Sequence, residues 1–371
     1  MSKLMPLLIF LFSIQAFQLN DSANEAHQTD PVTIGVAGLT HGHVHWIFGR
    51  GNIDDIEIVG IYEPNETVWQ QYQEWYDLDS SLWYKDLDKM LEVTHPEAVT
   101  AFGSTYDHLA VVEAAAPREI HIMVEKPLAV NMEHASRMKE LAELHDVHLI
   151  TNYETTWYAS NHELKRMFEN SDDFGDIRKM VIHDGHPGPK EIGVGDEFLE
   201  WLIDPKLNGG GAIMDFGCYG ANLMTWLMDG EEPLTVTAVT QTHKPHIYEN
   251  VDDEATIILT YPGAQGIIQA SWNWPYDRKD THVYGVDGFV YADDDVTLRF
   301  AKNQQRNTET RTLEPREYPY DDPFSYFAAV VRGDVIVKDT DLSSLENNIT
   351  VIKILDAARK SAETGNKIYL D

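Results

Sequence analysis

Three stretches of the chain concentrate side chains that could hold phosphates, move protons or bind a metal. The first is Gly35-Val36-Ala37-Gly38-Leu39-Thr40-His41-Gly42-His43-Val44-His45-Trp46, in which glycines mingle with three alternating histidines. Glycines between a β-branched run (Val32, Thr33, Ile34) and a helix let backbone amides approach a pyrophosphate at the helix N-terminus. Counted from Gly38, a G-x-G-x-x-G turn needs glycine at 40 and 43, where the chain has Thr40 and His43. A side chain at the second of these positions crowds the phosphates. Two readings therefore stay open. The loop is a cradle adjusted around Thr40 and Gly42, or its imidazoles serve a substrate or a metal. Neutral imidazole coordinates zinc, copper or nickel, so His41, His43 and His45 are the candidate metal set. The plainer alternative is that an imidazole caps the following helix.

The second stretch is Val124-Glu125-Lys126-Pro127. A lysine at the carboxyl end of a strand in an open α/β sheet points into the crevice where ligands bind. There its ammonium can donate to a substrate hydroxyl or a developing alkoxide. Pro127 restricts Lys126 to extended backbone. The third stretch is Gly209-Gly210-Gly211-Ala212-Ile213-Met214-Asp215-Phe216-Gly217-Cys218-Tyr219-Gly220-Ala221-Asn222. Asp215 and Tyr219 are four apart and share one face of a helix, with Leu223, Trp226 and Leu227 continuing an apolar stripe. The tyrosine could move a proton and the carboxylate polarise it. Taken singly, each stretch is equally compatible with a surface lysine, a capping aspartate and a core tyrosine. Glu63 ends a strand about 20 residues beyond the glycine loop, where a carboxylate grips ribose hydroxyls and repels a 2′-phosphate.

The elements that must position these groups fall into two patterns. From Val32 to Thr151, short apolar strands (Val32–Ala37, Ile56–Tyr62, Ala98–Phe102, Ile120–Val124, Val147–Asn152) alternate with amphipathic helices. Those helices are expected around Val68–Tyr76, Leu87–Glu92, Leu109–Ala115 and Met132–Leu144. Such alternation predicts a doubly wound parallel sheet covered on both faces. Beyond Asn152 a helix, a loop at His183-Asp184-Gly185-His186-Pro187-Gly188-Pro189 and the glycine-run helix lead into successive strands between Thr235 and Ala301. Two further helices follow, Pro323–Arg332 and Leu342–Thr364. This half predicts an α+β domain on a large, mostly antiparallel open sheet. The expected division is 31–152 and 153–371, with the C-terminal helices free to pack back on the first domain. For substrate contacts the sequence offers Tyr153, Trp157, His183 and His186, with Trp272 and Trp274 behind them, because aromatic rings suit the apolar C–H faces of sugars.

Composition narrows the partners. Lys+Arg 28 against Asp+Glu 61 gives a net charge of −33, which disfavours nucleic acid and anionic membranes. Lys3 followed by the apolar run Leu4–Phe12 and then Ser13-Ile14-Gln15-Ala16 reads as a secretory signal peptide (1–16) ahead of a polar leader (17–30). An uncleaved anchor is the alternative; after cleavage no membrane contact is expected. Cys218 is the single cysteine, so no intrachain disulfide can form. Export without disulfides fits a bacterial periplasm.

In combination these motifs resemble the Gfo/Idh/MocA family, the glucose–fructose oxidoreductase and inositol dehydrogenase group. The resemblance spans Val32 to the C-terminus. Four features carry it: the Gly35–Gly38 loop, Ser104-Thr105-Tyr106-Asp107-His108 before a helix, Glu125-Lys126-Pro127, and the glycine run leading to Asp215-x-x-x-Tyr219. It implies a Rossmann domain, a second domain whose open sheet mediates homo-oligomers, and oxidation or reduction of a sugar or polyol hydroxyl with NAD(P). Lys126 matches the family's catalytic lysine, and Asp215 the first residue of its Asp-x-x-x-His motif. Tyr219 stands in the histidine place, Asn222 where an acidic residue is frequent, and His108 at the histidine of a Pro-Asn-x-x-His loop whose Pro-Asn is replaced. The expected cofactor is NAD rather than NADP, held by Gly35, Gly38, Thr40, His41, Gly42, His43, Glu63, His108 and Glu125. Free NAD is scarce outside the cytoplasm, so the expected enzyme is an exported, NAD-linked oxidoreductase of sugars or glycosides with a tightly held cofactor. The alternative is a redox-neutral or NAD-recycling glycosidase or lyase on the same scaffold, metal-assisted through the histidine-rich loop.

Overall fold

The computed structural model of the chain describes residues 30–51, 53–169 and 173–370. The expected signal peptide and all of the leader except Asp30 lie outside the described residues. The first sheet has six parallel strands: β1 (Val32–Ala37), β2 (Ile56–Tyr62), β3 (Trp83–Tyr84), β4 (Ala98–Ala101), β5 (His121–Glu125) and β6 (Leu149–Asn152). Their order is β3-β2-β1-β4-β5-β6, so the order reverses between β1 and β4. Ligands bind at the carboxyl ends of strands beside such a reversal. Ile34, Val36, Val99, Ile122 and Val124 are wholly buried, as strands covered on both faces require. The covering helices are α1 (Val44–Phe48), α2 (Glu66–Tyr76), α3 (Leu87–Thr94), α4 (His108–Ala115) and α5 (Met132–Leu144). The two-residue β3 has no counterpart among the expected strands, because a run so short shows no periodicity.

The second sheet has nine strands. They are β7 (Ile177–Gly185), β8 (Thr235–Gln241), β9 (Glu254–Thr260), β10 (Gln265–Ser271), β11 (Arg278–Gly285), β12 (Phe289–Ala292), β13 (Thr297–Ala301), β14 (Glu309–Thr312) and β15 (Ile368–Tyr369). The order is β14-β13-β12-β11-β7-β10-β9-β8-β15, antiparallel throughout except between β7 and β10. Before it come α6 (Ala159–Glu169), and between β7 and β8 α7 (Pro189–Ile192), α8 (Asp196–Leu202), α9 (Ala212–Asp215) and α10 (Gly217–Leu227); α11 (Pro323–Val331) and α12 (Leu345–Thr364) come near the end. Every residue of α10 is buried, as its all-round apolar sequence requires of a core helix. Phe324 and Phe327 of α11 pack into one apolar cluster with Val32, Ile34 and Ile61, tying the C-terminal half to the first sheet. No helix among the described residues is long and apolar enough to cross a membrane.

Candidate active site

The site is built where the carboxyl ends of β1, β4 and β5 meet α8, α9 and the end of β7. At the β1–α1 turn Gly38 takes φ +88°, and a Cβ there would lie 2.8 Å from the amide nitrogen of Gly103 beyond β4. The turn is stitched to its surroundings. Leu39 N–H donates to Glu63 Oε2 (3.0 Å), and the Thr40 and His41 amides both donate to the Phe102 carbonyl (3.1 and 2.8 Å). The His43 amide donates to His41 Nδ1 at 3.1 Å. From Gly38 to Val44, only the Gly42 amide has no acceptor among the described residues. Glu63, nearly inaccessible, takes Asn65 N–H on its other oxygen (2.8 Å), and burial raises its carboxyl.

Two expectations for this loop are corrected. Gly35 lies inside β1, where a Cβ would sit 2.9 Å from Met90 Cε; its role is close packing against α3, away from the turn. His45 turns away from its neighbours and bonds Tyr76 Oη through Nδ1 at 2.6 Å while stacking on Tyr72, because alternate residues of a helical turn point to different sides. The three-histidine metal set therefore does not form. Glu125 takes the place of His45: His41, His43 and Glu125 bring one potential ligand atom each within 4.8 Å of one another. That trio is a poor metal site. His43 Nδ1 is already on Glu125, and His41 Nδ1 accepts an amide proton, which denies the ring the Nδ1 proton that a neutral imidazole ligating through Nε2 must carry.

Glu125, at the end of β5, is the hub of a hydrogen-bonded chain. Its Oε2 lies 2.8 Å from His43 Nδ1, and its Oε1 accepts from Asn152 Nδ2 (2.7 Å). Asn152 Oδ1 in turn accepts from Trp157 Nε1 (3.0 Å), and the His43 ring stacks on Trp46 with centroids 3.8 Å apart. The next residue, Lys126, donates from Nζ to Asp215 Oδ1 (2.5 Å), both side chains being about 95% buried. Asp215 Oδ2 accepts from Trp272 Nε1 (2.9 Å). Burial disfavours both charges, and their mutual attraction outweighs it. The ammonium is held above the usual lysine range and the carboxylate below its own.

Asp215 and Tyr219 do not share one helix face. The chain breaks at Phe216, so Asp215 ends α9 and Tyr219 falls in the first turn of α10. At the start of α9, Gly211 N–H and Ile213 N–H are both captured by the Asp252 carboxylate. The structure still brings Tyr219 to Lys126, whose Nζ is 5.3 Å from the ring centroid. Lys279 Nζ lies 5.8 Å from the same ring and pairs with Glu154 at 2.8 Å. Burial, with Glu154, pushes the Tyr219 phenol well up.

Of the expected substrate residues, His186 stands edge-on to Phe216 (4.9 Å); burial lowers its imidazole, and the charges acting on it are Asp215, Lys279, Asp277 and Lys126. Tyr153 packs edge-on to Tyr219 at 5.4 Å, and Trp157 lines the neighbouring cavity. His183 is a correction. It lies on the opposite face of β7 from the site, bonded to Asp280 Oδ2 (2.8 Å) beside His282, because strand residues alternate faces. Its neighbour Asp184 faces inward instead, across from Lys279 in register, with both carboxylate oxygens buried and without a partner among the described residues. Burial raises that carboxyl well above its usual range. Asp184, Lys279, Glu154 and Asn152 were not legible as site residues; only strand alternation around the His183–His186 stretch could have pointed to Asp184.

Two cavities flank these groups. One, of about 220 Å³, is lined by Gly38, Thr40, Glu63, Asp107 and His108 at the ends of β1, β2 and β4. The other, of about 280 Å³, is lined by Trp46, Glu154, Trp157, Tyr158 and Arg316.

The family models now place this architecture. The model described as an oxidoreductase family with an NAD-binding Rossmann fold matches residues 32–153, and that of the GFO/IDH/MocA C-terminal domain matches 161–291. The chain belongs to the Gfo/Idh/MocA family. It is 26% identical over 275 residues to the D-xylose 1-dehydrogenase (NADP(+)) of Haloarcula marismortui, covering 71% of this chain and 72% of that one. To the myo-inositol 2-dehydrogenase of Thermotoga maritima it is 27% identical over 267 residues, covering 70% and 75%. An inositol dehydrogenase homolog complexed with NAD+ from Azotobacter vinelandii superposes with a TM-score of 0.79 at 17% identity, over 92% of this chain and 98% of that one. The protein is thus an NAD(P)-dependent oxidoreductase of this family, with a Rossmann domain and a mostly antiparallel second sheet.

The first cavity fits the adenosine half of such a cofactor. Its His108 faces the Leu128 carbonyl through Nδ1 (3.1 Å), which leaves Nε2 a buried acceptor without a partner among the described residues. Glu63 retains lone pairs on both oxygens. Acceptors of this kind suit ribose hydroxyls.

Proposed function

We propose that the protein is an exported oxidoreductase that uses tightly held NAD to oxidise or reduce a hydroxyl of a sugar or glycoside. The observation that carries this reading is the buried Lys126–Asp215 pair beside Tyr219 at the carboxyl end of β5. NAD is favoured over NADP because Glu63 and Asp107 line the first cavity and the residues lining it include no lysine or arginine to meet a 2′-phosphate. The indole and phenol rings of the second cavity, with Glu154 and Arg316 between them, offer apolar faces and polar edges to a sugar.

In the proposed chemistry, Lys126 keeps N–H bonds beyond those to Asp215 and aims one at the reacting oxygen. Asp215 keeps that lysine charged and fixed, and Trp272 fixes Asp215. Tyr219 exchanges the proton of the same oxygen. Its raised phenol makes it a proton donor at neutral pH, suited to protonating the oxygen as a carbonyl is reduced; in the oxidation direction Lys126 and Lys279 on the ring's flanks stabilise the phenolate. When bound, NAD supplies hydride acceptance and donation at the substrate carbon. His186 and Trp157 contact the rest of the sugar.

A signal peptide at 1–16 supports a periplasmic address, where the cofactor must be recycled within the site. The open face of the nine-stranded sheet supports a homo-oligomer. A second reading, glycoside cleavage with NAD recycled in each turnover, is favoured by Asp184, whose carboxyl burial shifts toward the protonated form that could protonate a leaving oxygen.

The test is to denature the purified protein and analyse what it releases by absorbance and mass spectrometry. About one NAD per chain is the expected result. A stoichiometric metal without nucleotide would overturn the reading.

A further inference from the structure

The β1–α1 turn has lost two glycines of its fingerprint and gained two imidazoles, His41 and His43, whose ring centroids lie 4.6 Å apart. Their internal bonds fix which nitrogen of each carries a proton. His41 Nδ1 accepts from the His43 amide (3.1 Å), so the neutral ring holds its proton on Nε2. That Nε2 is buried and has no partner among the described residues. It is a donor with nothing to donate to.

His43 is the reverse. Its Nδ1 lies 2.8 Å from Glu125 Oε2, while Asn152 Nδ2–H donates to Oε1 at 2.7 Å. Burial raises the Glu125 carboxyl, while the Asn152 amide and the Lys126 ammonium oppose that rise by favouring the carboxylate, which can only accept. Opposite the carboxylate form of Glu125, His43 carries its proton on Nδ1 and leaves Nε2 a bare lone pair. Burial pushes His41 well down and His43 down to about 3, so both rings are uncharged at neutral pH, as this assignment requires. His43 is bonded to Glu125, the residue before Lys126, which puts the pair beside the reacting end of the site.

We propose that His41 and His43 form a donor–acceptor pair that recognises the primary carboxamide of a nicotinamide cofactor, His41 Nε2–H donating to its oxygen and His43 Nε2 accepting from its amide nitrogen. The inference rests on the NAD reading above. It also explains a loop whose backbone amides are mostly spent within the chain: recognition has moved from main-chain contacts with the pyrophosphate to side-chain contacts with the nicotinamide. Glu125, Asn152 and Trp157 are positioning residues that hold the His43 tautomer.

Binding of three probes to the whole protein, freed by dialysis of any nucleotide it carries through purification, tests this by calorimetry: NAD, ADP-ribose (no nicotinamide) and 3-acetylpyridine adenine dinucleotide (carbonyl kept, amide nitrogen absent). His41→Phe and His43→Phe keep a ring of similar size beside Phe198 and Trp46. Each should weaken NAD by about 5- to 10-fold, the worth of one hydrogen bond, and leave ADP-ribose within about 2-fold. The wild type should prefer NAD to the acetylpyridine analogue, and that preference should vanish in His43→Phe but persist in His41→Phe. If ADP-ribose weakens as much as NAD, or if neither variant alters NAD binding, the carboxamide assignment is overturned while the cofactor reading stands. If the wild type binds none of the three probes, the cofactor reading falls and this inference with it.

Discussion

Lys126 and Asp215 show how one buried ion pair sets a working pH range. Burial alone pushes a lysine down; at Lys126 the Asp215 carboxylate, 2.5 Å away, more than offsets it. The lysine works as a charged donor, so the wild type should keep its activity into alkaline solution, losing it only where the ammonium deprotonates. In Asp215→Asn burial remains and the offsetting charge is gone. The lysine then falls below its ordinary range, and the alkaline limb of kcat/KM should move to lower pH by at least one unit. Lys126→Ala should lose about 10²- to 10⁴-fold in kcat and have no such limb. Both follow from pH–rate profiles on whichever sugar supports turnover, with circular dichroism to confirm folding. An unmoved alkaline limb in Asp215→Asn would show that Lys126 is not the titrating group.

The β1–α1 turn carries two glycines with opposite demands. Gly38 has φ +88°, and a Cβ would meet the Gly103 backbone at 2.8 Å, so two turns of the sheet edge would have to separate. Gly38→Ala should cost about 3 kcal/mol or more, from a left-handed backbone and a backbone clash together. Gly42 has ordinary φ, and its Cβ would rest 3.7 Å from Phe198, a normal contact. Gly42→Ala should therefore keep its thermal midpoint within about 2 °C. It should still weaken NAD, because the added Cβ would crowd a phosphate held by the one amide in the turn without an acceptor among the described residues. A thermal melt and a binding isotherm decide both; a Gly42→Ala protein that binds NAD normally would remove the pyrophosphate from that amide. The same turn marks what the sequence makes legible. The β1 strand, the glycine loop, Glu63 at the end of β2 and Lys126 at the end of β5 are local patterns, and local patterns survive folding. The anchoring of α9 does not show, because Asp252 captures the Gly211 amide ahead of it from 41 residues away. Nor does α8, whose Phe198 and Trp201 close over His41 at centroid distances of 4.9 and 5.8 Å. His183 was read for Asp184 because a one-residue error in a strand exchanges its faces.

At the scale of the whole molecule, the nine-stranded sheet has one face packed under α9, α10 and α12, and the other turned outward. The outward side carries Val181 on β7, Ile267 on β10, Ile258 on β9 and Phe289 on β12, all half-buried, and Val239 on β8, which is 63% exposed. A row of β-branched and aromatic residues across several strands is a surface that two copies can bury against each other. The net charge of −33 opposes that meeting. Repulsion between like-charged bodies is screened over about 10 Å at 0.1 M salt, whereas burial of apolar area is not weakened by it. Association should therefore tighten as salt rises, the reverse of an interface built on ion pairs. Sedimentation velocity at about 20 mM and about 300 mM salt should show a shift toward the oligomer at the higher concentration. Val239→Arg with Ile267→Arg should yield a monomer at both, with its melting temperature little changed, since neither side chain belongs to the buried core. An oligomer that dissociates as salt is added, or that survives both arginines, would place the interface elsewhere on the molecule.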